Sequence, residues 1–185
     1  MGLKGAETRA RLLDATQELI EGGGYFGAGL NQVIAASGAP RGSLYFHFPG
    51  GKEELVGESV RRAGQEIGAT MGELAEATSS VEEFVAGVLD WLGDRLEQSG
   101  WRKGCPVATV ALETAATSDP LQEICSEVYT GWESALRELL TGREDADDLA
   151  VTILALAEGA LLLARAHRSR EPLRRVGRQI AALLR

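Results

Sequence analysis

The chain has 185 residues, of which 44% are hydrophobic and 25% charged, and its formal net charge at neutral pH is −8. This length and apolar content can bury a sizeable core in one or two small domains, which excludes a disordered or repetitive chain. The two cysteines are too few for a disulfide framework and favour a reducing cytoplasm.

Charge is distributed unevenly along the chain. Residues 1–52 carry five Lys or Arg and four Asp or Glu, whereas residues 53–164 carry seven and twenty-two. The last 21 residues are basic again, with seven Arg against Glu171, and we interpret this tail as a solvated or interfacial helix face. Because a DNA-binding protein needs only a local basic footprint, the acidic total does not exclude a nucleic-acid partner.

The first predicted helix begins at Thr8, a residue type suited to the N-cap, and carries one apolar stripe. It is predicted to end at the glycine run 22–24, since glycine is common at helix C-termini and turns. Tyr25 and Phe26 are expected to add aromatic bulk to the core of this first domain. The stripe consists of Leu12, Leu13, Thr16, Leu19 and Ile20.

Residues 29–55 predict two helices joined by a tight turn, because two apolar sets recur at helical spacing. Gly38 suits the left-handed residue that ends the first of them, and Pro40 suits an early position of the second. This is the helix-turn-helix arrangement, whose second helix lies in the DNA major groove. The apolar sets are Leu30, Val33 and Ile34, then Leu44 and Phe48.

The same stretch resembles the DNA-binding signature of TetR-type repressors. The resemblance is carried by Ile34-Ala35, by Ser37-Gly38-Ala39-Pro40-Arg41-Gly42-Ser43-Leu44-Tyr45-Phe46-His47-Phe48, and by Lys52 and Leu55. Residues 48–53, and later 104–108 with 111–113, are similar to the LmrA/YxaF-like branch of that family. The resemblance implies a DNA-binding head, a helical domain that binds inducers and dimerises, and, for this branch, responses to antibiotics and flavonoids.

The residues around Leu44 in the second of these helices face away from the core and are candidates for DNA contact. Arg41 can donate two parallel hydrogen bonds to a guanine edge, which is worth about 1 to 3 kcal/mol of discrimination. Ser43 can meet a base or a phosphate, and Phe46 can contact a thymine methyl group. Tyr45 and His47 carry hydrogen-bond donors at the tips of their rings, which suit phosphate oxygens. The resemblance implies that both positions contact the DNA backbone. The candidates are Arg41, Gly42, Ser43, Tyr45, Phe46 and His47.

Lys52 is predicted to lie in the first turn of the next helix, where the backbone amides already favour an anion, so we expect it to bind a phosphate. The resemblance implies the same contact. Where many relatives have a Thr that caps helix two, this chain has Gly29, and Asn31 or Gln32 is expected to substitute for that hydroxyl. The alternative for Lys52 is simple solvation, and the alternative for Tyr45 and His47 is packing in the core of the head.

The rest of the chain predicts six further helices, so the protein is expected to be all-α with about nine helices. Helix four begins at Lys52 and continues for some 25 residues, or about 37 Å. Ser80 and Glu83 form a capping box that opens helix five. Asp119 and Pro120, as N-cap and first residue, open helix seven.

We divide the chain into a helix-turn-helix DNA-binding head, residues 1–52, and a ligand-binding and dimerisation bundle, residues 53–185. Helix eight is apolar almost all round, so it must be buried on more than one side. Gly159 and Ala160 would permit another helix to come close. We therefore predict a homodimer through helices eight and nine, which the resemblance also implies and which fits a palindromic operator.

The predicted partners are double-stranded operator DNA, a small-molecule inducer and a second copy of the chain, with no membrane. The N-terminus carries no basic-then-apolar signal. The longest apolar run, Val151 to Ala166, is interrupted by Glu158 and Gly159, and we expect it to be too short and too polar to span a bilayer.

Helices five, six and seven carry aromatic and apolar side chains with few polar groups, which predicts a pocket for a flat, mostly apolar inducer. The alternative is ordinary core packing, and for Glu113 an exposed glutamate. The resemblance favours the pocket, because these regulators bind inducers between the corresponding helices. An inducer that prefers spread heads would release DNA by a population shift, carried by helix four. The candidates are Phe84, Val88, Trp91, Thr109, Val110, Glu113, Cys125, Tyr129 and Trp132.

Three rival interpretations can be stated. A helical interaction module that does not bind DNA is disfavoured by the set of candidate DNA contacts Arg41, Tyr45, His47 and Lys52. A thiol-based redox regulator would use Cys105, because Arg102 and Lys103 close by would lower a thiol pKa. An enzyme is disfavoured, because the two histidines, His47 and His167, show no metal spacing and no nucleophile elbow or paired carboxylates accompany them. We therefore expect no catalytic residue, no metal and no cofactor.

Overall fold

The computed structural model describes residues 3–185, with Leu3 described only in its backbone, and over this range the chain is all-helical with no strand. The predicted all-α fold is confirmed. The helices are α1 (Leu3–Gly27), α2 (Leu30–Ser37), α3 (Arg41–His47), α4 (Gly51–Ala77), α5 (Val81–Gln98), α6 (Pro106–Thr114), α7 (Asp119–Leu139), α8 (Ala146–His167) and α9 (Glu171–Leu183). The first two residues of the predicted head lie outside the described range.

The chain forms two compact units. The first contains the chain up to Gln65 together with Pro106–Val128, and the second contains Glu66–Cys105 together with Tyr129–Arg185. Packing therefore groups α6, the first half of α4 and the first half of α7 with the head. The sequence boundary between residues 52 and 53 divides the chain by expected role and stays a prediction.

Helix α1 begins well before the predicted start. The Thr8 hydroxyl donates to the carbonyl of Lys4 at 2.9 Å, as in a helix interior, so Thr8 is not the N-cap. Helical structure also continues through Gly22 and Gly23 and bends only at Gly24, which has φ 64° and ψ −162°. Glycine has no Cβ to oppose this conformation, which explains why the helix bends there.

The core of the helix-turn-helix forms from the predicted apolar positions. The turn is also as predicted, since Gly38 has φ 62° and ends α2 in the left-handed conformation. Pro40 lies one position before α3, as its N-cap with φ −59°, where its missing N–H costs nothing. The buried residues are Leu12, Leu13, Val33, Ala39, Leu44, Phe48 and Leu55, and the predicted Leu30 and Ile34 are partly buried against them.

Two glycines in α4 allow α7 to pack closely against it. A Cβ added to Gly57 would lie 2.6 Å from Cδ1 of Ile124, and one added to Gly64 would lie 2.6 Å from Cγ1 of Val128. The two glycines are seven residues apart and so share one face of the helix. These small residues, which the sequence reading passed over, set the distance between α4 and α7 in the first unit.

In the second unit α5, α8 and α9 pack around a common apolar core. Helix α5 begins as predicted, because Ser80 accepts a hydrogen bond from the Glu83 amide at 3.2 Å. Gly177 of α9 lies against Leu89, where an added Cβ would be 3.1 Å from Cδ1. The buried residues include Phe84, Leu89, Leu96, Ile153, Leu161, Leu173 and Ile180.

Helix α8 leaves one apolar stripe exposed. Its 22 residues include a window of mean hydropathy 1.8, so length and composition alone would allow a membrane span, contrary to the sequence interpretation. The core helix of a soluble protein passes the same test, and the opposite side of α8 is buried in the second unit. The stripe consists of Val151, Ala155, Gly159, Leu162, Leu163 and Ala166.

Candidate DNA-binding surface and ligand-binding helices

Helix α3 presents large side chains to solvent that its own core does not need. Leu44 and Phe48 are fully buried, as their four-residue spacing predicts. Tyr45 and Phe46 between them are 60% and 77% exposed, and Arg41 is exposed at the start of the helix. An exposed phenylalanine beside an arginine is an unusual solvent face, and it suits a partner with both charged and apolar groups.

The other candidates on α3 have partners inside the protein. The Ser43 hydroxyl donates to the carbonyl of Pro40 at 2.5 Å, although the side chain remains partly accessible. The His47 ring is half-buried and meets Phe46 edge-on, with ring centroids 5.0 Å apart. Gly42 is exposed, and a Cβ added there would meet nothing within 4 Å. The turn therefore leaves space around the N-terminal end of α3.

The start of α2 shows how this chain does without a capping hydroxyl. The Gln32 carbonyl oxygen accepts a hydrogen bond from the Gly29 amide at 3.2 Å, which is one half of a capping box. Asn31 is exposed beside it. Gln32 thus satisfies the N-cap amide, whereas the bond that a hydroxyl at position 29 would accept is not made by a side chain. A phosphate contact by Asn31 or Gln32 stays a prediction.

Lys52 has a partner within the protein that the sequence did not reveal. Its Nζ lies 4.1 Å from the centroid of the Tyr25 ring, a cation–π contact. Partial burial lowers the pKa of Lys52, and the nearby carboxylate of Glu113 opposes that shift. The phosphate contact expected for Lys52 stays a prediction, and the Tyr25 ring is a partner that this lysine already has within the protein. Tyr25 and Phe26 do not both add to the core as expected, because Tyr25 is half-buried and Phe26 is 72% exposed.

Two of the predicted ligand residues contact the last turns of α1. The Thr109 hydroxyl donates to the carbonyl of Ile20 at 2.8 Å, and Glu113 accepts a hydrogen bond from the Phe26 amide at 2.9 Å. Thr109 and Glu113 are one turn apart on α6 and so share one face. Their role toward a ligand stays a prediction, but these polar atoms already have partners in the first unit.

Val110 and Cys125 also belong to the first unit. Val110 is fully buried, and the Cys125 thiol points at the carbonyl of Val107 with 3.9 Å between sulfur and oxygen. Burial raises the pKa of the Cys125 thiol to about 11. This cysteine behaves as a small apolar core residue, because its thiolate is scarcely populated at neutral pH.

The remaining ligand candidates lie in the second unit. Tyr129 and Trp132 meet edge-to-face with ring centroids 5.6 Å apart. Phe84 is buried, and Val88 is partly exposed on the same helix. On the same helix, the guanidinium of Arg95 lies over the Trp91 ring, 5.0 Å from its centroid. Phe84 and Trp132 are only 3% and 7% exposed, so they pack in the core, and the pocket expected between these helices stays a prediction.

Glu158 is the polar residue that sequence reasoning missed. It lies on α8 and accepts hydrogen bonds from the side chains of Cys105 and Tyr129, while burial raises its pKa. The signal was visible as a single carboxylate within an otherwise apolar helix, but it was interpreted only as an interruption. Such a carboxylate near an aromatic pair is a common feature of binding sites.

The surroundings of Cys105 do not support the redox interpretation. This cysteine is only 8% exposed, and its thiol faces the carboxyl of Glu158. A neighbouring carboxylate disfavours the thiolate on which redox reactivity depends. Over the described residues there is also no group of three or more His, Cys, Asp or Glu that could hold a metal ion.

Comparison with known proteins defines the class. Residues 12–58, which include the helix-turn-helix, match the family model for bacterial regulatory proteins of the tetR family. A regulator from Chloroflexus aurantiacus J-10-FL has a similar structure, with a TM-score of 0.83, 28% identity, and 97% of this chain and 94% of that chain covered. One from Cytophaga hutchinsonii shares the fold at a TM-score of 0.86, with 21% identity and 100% and 96% coverage. The chain belongs to the TetR family of DNA-binding transcriptional regulators.

The branch within the family follows from the rest of the chain. Residues 81–179 match the model for the C-terminal domain of LmrA/YxaF-like transcriptional regulators. The chain is 36% identical to the regulator LmrA of Bacillus subtilis (strain 168), over 96% of this chain and 97% of LmrA. It is 32% identical to YxaF of the same organism, over 97% and 96% of the two chains. Both relatives bear the name HTH-type transcriptional regulator.

Proposed function

We propose that the protein is a cytoplasmic, homodimeric repressor that leaves its operator when a small, largely apolar aromatic compound binds. One observation carries the DNA half of this proposal: α3 exposes Arg41, Tyr45 and Phe46 while it buries Leu44 and Phe48. Guanidinium, phenol and phenyl groups together match guanine edges, phosphates and thymine methyl groups.

The contacts divide into base readout and backbone positioning. Arg41 reads a guanine through two parallel hydrogen bonds, and Phe46 contacts a thymine methyl group. Ser43 and the neighbouring Gly42 allow the start of α3 to approach the DNA closely. Tyr45 and His47 bind phosphate oxygens, as do Lys52, Asn31 and the free amide nitrogen of Gln32.

The second copy covers the exposed stripe of α8, with α9 beside it. Three features support this occupant: the stripe is aliphatic, it has Gly159 at its centre, and a Cβ added there would meet nothing within 4 Å. Small residues at the centre of a helix face allow another helix to come close. A two-fold dimer places two α3 helices on successive turns of a palindromic operator.

The inducer is proposed to meet the aromatic side chains of α5 and α7. The T-shaped pair Tyr129 and Trp132 favours a flat ring system, and the Glu158 carboxyl favours a compound with at least one hydrogen-bond donor. Such a ligand releases DNA only to the extent that it prefers the conformation with spread heads. Helix α4, which runs through both compact units, carries that preference along the chain.

The DNA half is tested by selection from a pool of randomised duplexes at near-physiological salt. Wild-type protein should enrich a palindrome with half-sites about one helical turn apart. Arg41→Ala should lose preference at one base pair of each half-site. Arg102→Ala, which removes an exposed arginine of the second unit, is the matched control and should select the same palindrome. No enrichment by the wild type would overturn the proposal.

The inducer half is tested on the selected duplex. A library of aromatic compounds is screened for loss of fluorescence anisotropy, and each positive compound is checked for a rise in the thermal midpoint of the protein without DNA. Trp132→Ala should weaken both responses to the same compound, whereas Trp101→Ala should change neither. Compounds that release DNA without binding the free protein would contradict an inducer mechanism.

A further inference from the structure

We propose that Glu113 is a positioning residue that faces Lys52 and competes with the operator phosphate for its ammonium group. The proposal rests on the proposed function only in that Lys52 is taken as a phosphate contact. It assigns Glu113 to the DNA-binding end of the molecule rather than to the inducer, and all of its contacts lie within the first compact unit.

The first step is the contact between Glu113 and the end of α1. Gly24 leaves helical geometry, with φ 64° and ψ −162°, and the carboxylate of Glu113 accepts the Phe26 amide just beyond it. A Cβ at position 24 would lie 2.6 Å from Oε1 of Glu113. The Glu113 carboxylate therefore occupies the space that a side chain at position 24 would need, and the backbone conformation there also favours glycine.

The second step is the position of Lys52. Its ammonium group lies over the Tyr25 ring, 4.1 Å from the centroid. Tyr25 directly precedes Phe26, whose amide donates to the Glu113 carboxylate. The negative charge of Glu113 acts on Lys52 and opposes the effect of its burial. The Lys52 ammonium group is thus attracted by the Glu113 carboxylate within the protein. A DNA phosphate that binds Lys52 must compete with that attraction.

The third step is that α6 cannot carry Glu113 away freely. Thr109, one turn earlier on the same face, donates to the Ile20 carbonyl at 2.8 Å. At the start of α7, the Ser118 hydroxyl donates to the carboxylate of Glu53, the residue after Lys52. Both ends of the α6 region are therefore fixed to the elements that carry Tyr25 and Lys52.

Two substitutions separate the charge of Glu113 from its hydrogen bond. Glu113→Gln keeps an acceptor for the Phe26 amide but removes the negative charge, and Glu113→Ala removes both. Lys52→Gln removes the ammonium group, and the double variant Glu113→Gln with Lys52→Gln closes the thermodynamic cycle. Glu123→Gln, an exposed glutamate of α7 in the same unit, controls for the loss of one negative charge.

The measurement is the dissociation constant for the selected duplex and for a scrambled duplex, as a function of salt. Because phosphate contacts are independent of sequence, the coupling should appear on both. Glu113→Gln should tighten binding by about three- to tenfold, a range typical of coupled neighbours. It should have no effect in the Lys52→Gln background, and Lys52→Gln should lower the salt slope by about one.

The outcomes are distinct. Equal tightening by Glu113→Gln with and without Lys52, or by Glu123→Gln, would show a general charge effect and overturn the proposal. So would unchanged affinity in Glu113→Gln. Amide hydrogen exchange at Phe26 tests the contact without DNA: it should be faster in Glu113→Ala and unchanged in Glu113→Gln. If the wild type binds both duplexes equally, the repressor proposal fails, while the cycle on the scrambled duplex still decides the role of Glu113.

Discussion

Helices α3 and α8 both expose large apolar side chains, but the two surfaces differ in chemistry. The surface of α3 combines aromatic rings with an arginine and lies on a helix of seven residues. The surface of α8 is aliphatic, extends from Val151 to Ala166 on a helix of 22 residues and has a glycine at its centre. An aromatic and cationic face suits a polyanion with exposed methyl groups, whereas an aliphatic face around a glycine suits another helix.

The difference shows that exposure alone does not identify a partner. Phe46 and Leu162 are exposed to a similar degree, 77% and 60% of their surface. What separates them is the exposed face to which each belongs. The other exposed side chains of α3 are Arg41 and Tyr45, whereas Leu162 lies in the exposed stripe of aliphatic residues and glycine on α8. Substitutions on α3 and on α8 test the two assigned partners separately.

Leu162→Glu should have the largest effect. In a dimer through α8 it places an unpaired carboxylate in an apolar interface, at a cost of several kcal/mol per protomer. We expect a monomer at micromolar concentration by sedimentation velocity, and a loss of operator affinity of about 100-fold or more because the two half-site contacts are no longer linked. Leu112→Glu, on α6 and 81% exposed, is the control that should remain dimeric. A dimeric Leu162→Glu would contradict the role assigned to α8.

Arg41→Ala and Phe46→Ala should have the next largest effect. They should lower the affinity for DNA without changing the stability of the protein. Each should cost about 1 to 3 kcal/mol of operator affinity, because a base contact is lost. Neither should change the thermal midpoint, since both side chains are exposed. Anisotropy titrations measure the first quantity and calorimetry the second. A large fall in thermal midpoint for Phe46→Ala would mean that this ring packs within the protein instead.

Gly159→Ala and Gly72→Ala should have smaller effects of opposite sign. Each glycine is in a helix interior and has open space at its Cβ position. Gly72→Ala should raise the free energy of unfolding by about 0.5 to 1 kcal/mol through helix propensity. Gly159→Ala should instead weaken the dimer by about 1 kcal/mol, because the added methyl group meets the second copy. Equal stabilisation by both would argue that nothing approaches Gly159.

Glu158→Gln should give the smallest effect, visible in its pH dependence. Burial raises the pKa of Glu158 in the folded chain above its ordinary value of 4.5, so folding favours the protonated carboxyl. The stability that this group contributes is present below pH 4.5 and is lost as the pH rises toward the folded-state pKa. The unfolding free energy of Glu158→Gln should therefore gain on the wild type as the pH rises from 4.5 through the folded-state pKa, as denaturant titrations measure. Glu123→Gln should run parallel to the wild type.

Local features made much of the fold predictable from the sequence. The turn between α2 and α3 follows from Gly38 and Pro40, whose backbone preferences act within a few residues. The exposed set on α3 follows from the four-residue spacing of Leu44 and Phe48. The start of α1 was missed because Thr8 is equally compatible with a helix interior, where its hydroxyl bonds Lys4.

Contacts between distant segments were not predictable. Glu113 and Phe26 are separated by 87 positions, and no periodicity in either segment reports the other. The same holds for Glu158 and its two donors, Tyr129 on α7 and Cys105 in the segment before α6. Sequence patterns indicated which helices carry polar groups, but the partners of those groups depend on how the helices pack.

The close approach at Gly64 has a consequence for how such a chain can change over time. Val128 fills the space that a side chain at position 64 would need, with 2.6 Å between Cγ1 and an added Cβ. The two positions share a fixed volume, so enlargement at one is tolerated only with reduction at the other. Gly64→Ala alone should be harmful and Gly64→Ala with Val128→Ala should be tolerated. Descendants of this sequence are thus expected to exchange both residues together or neither.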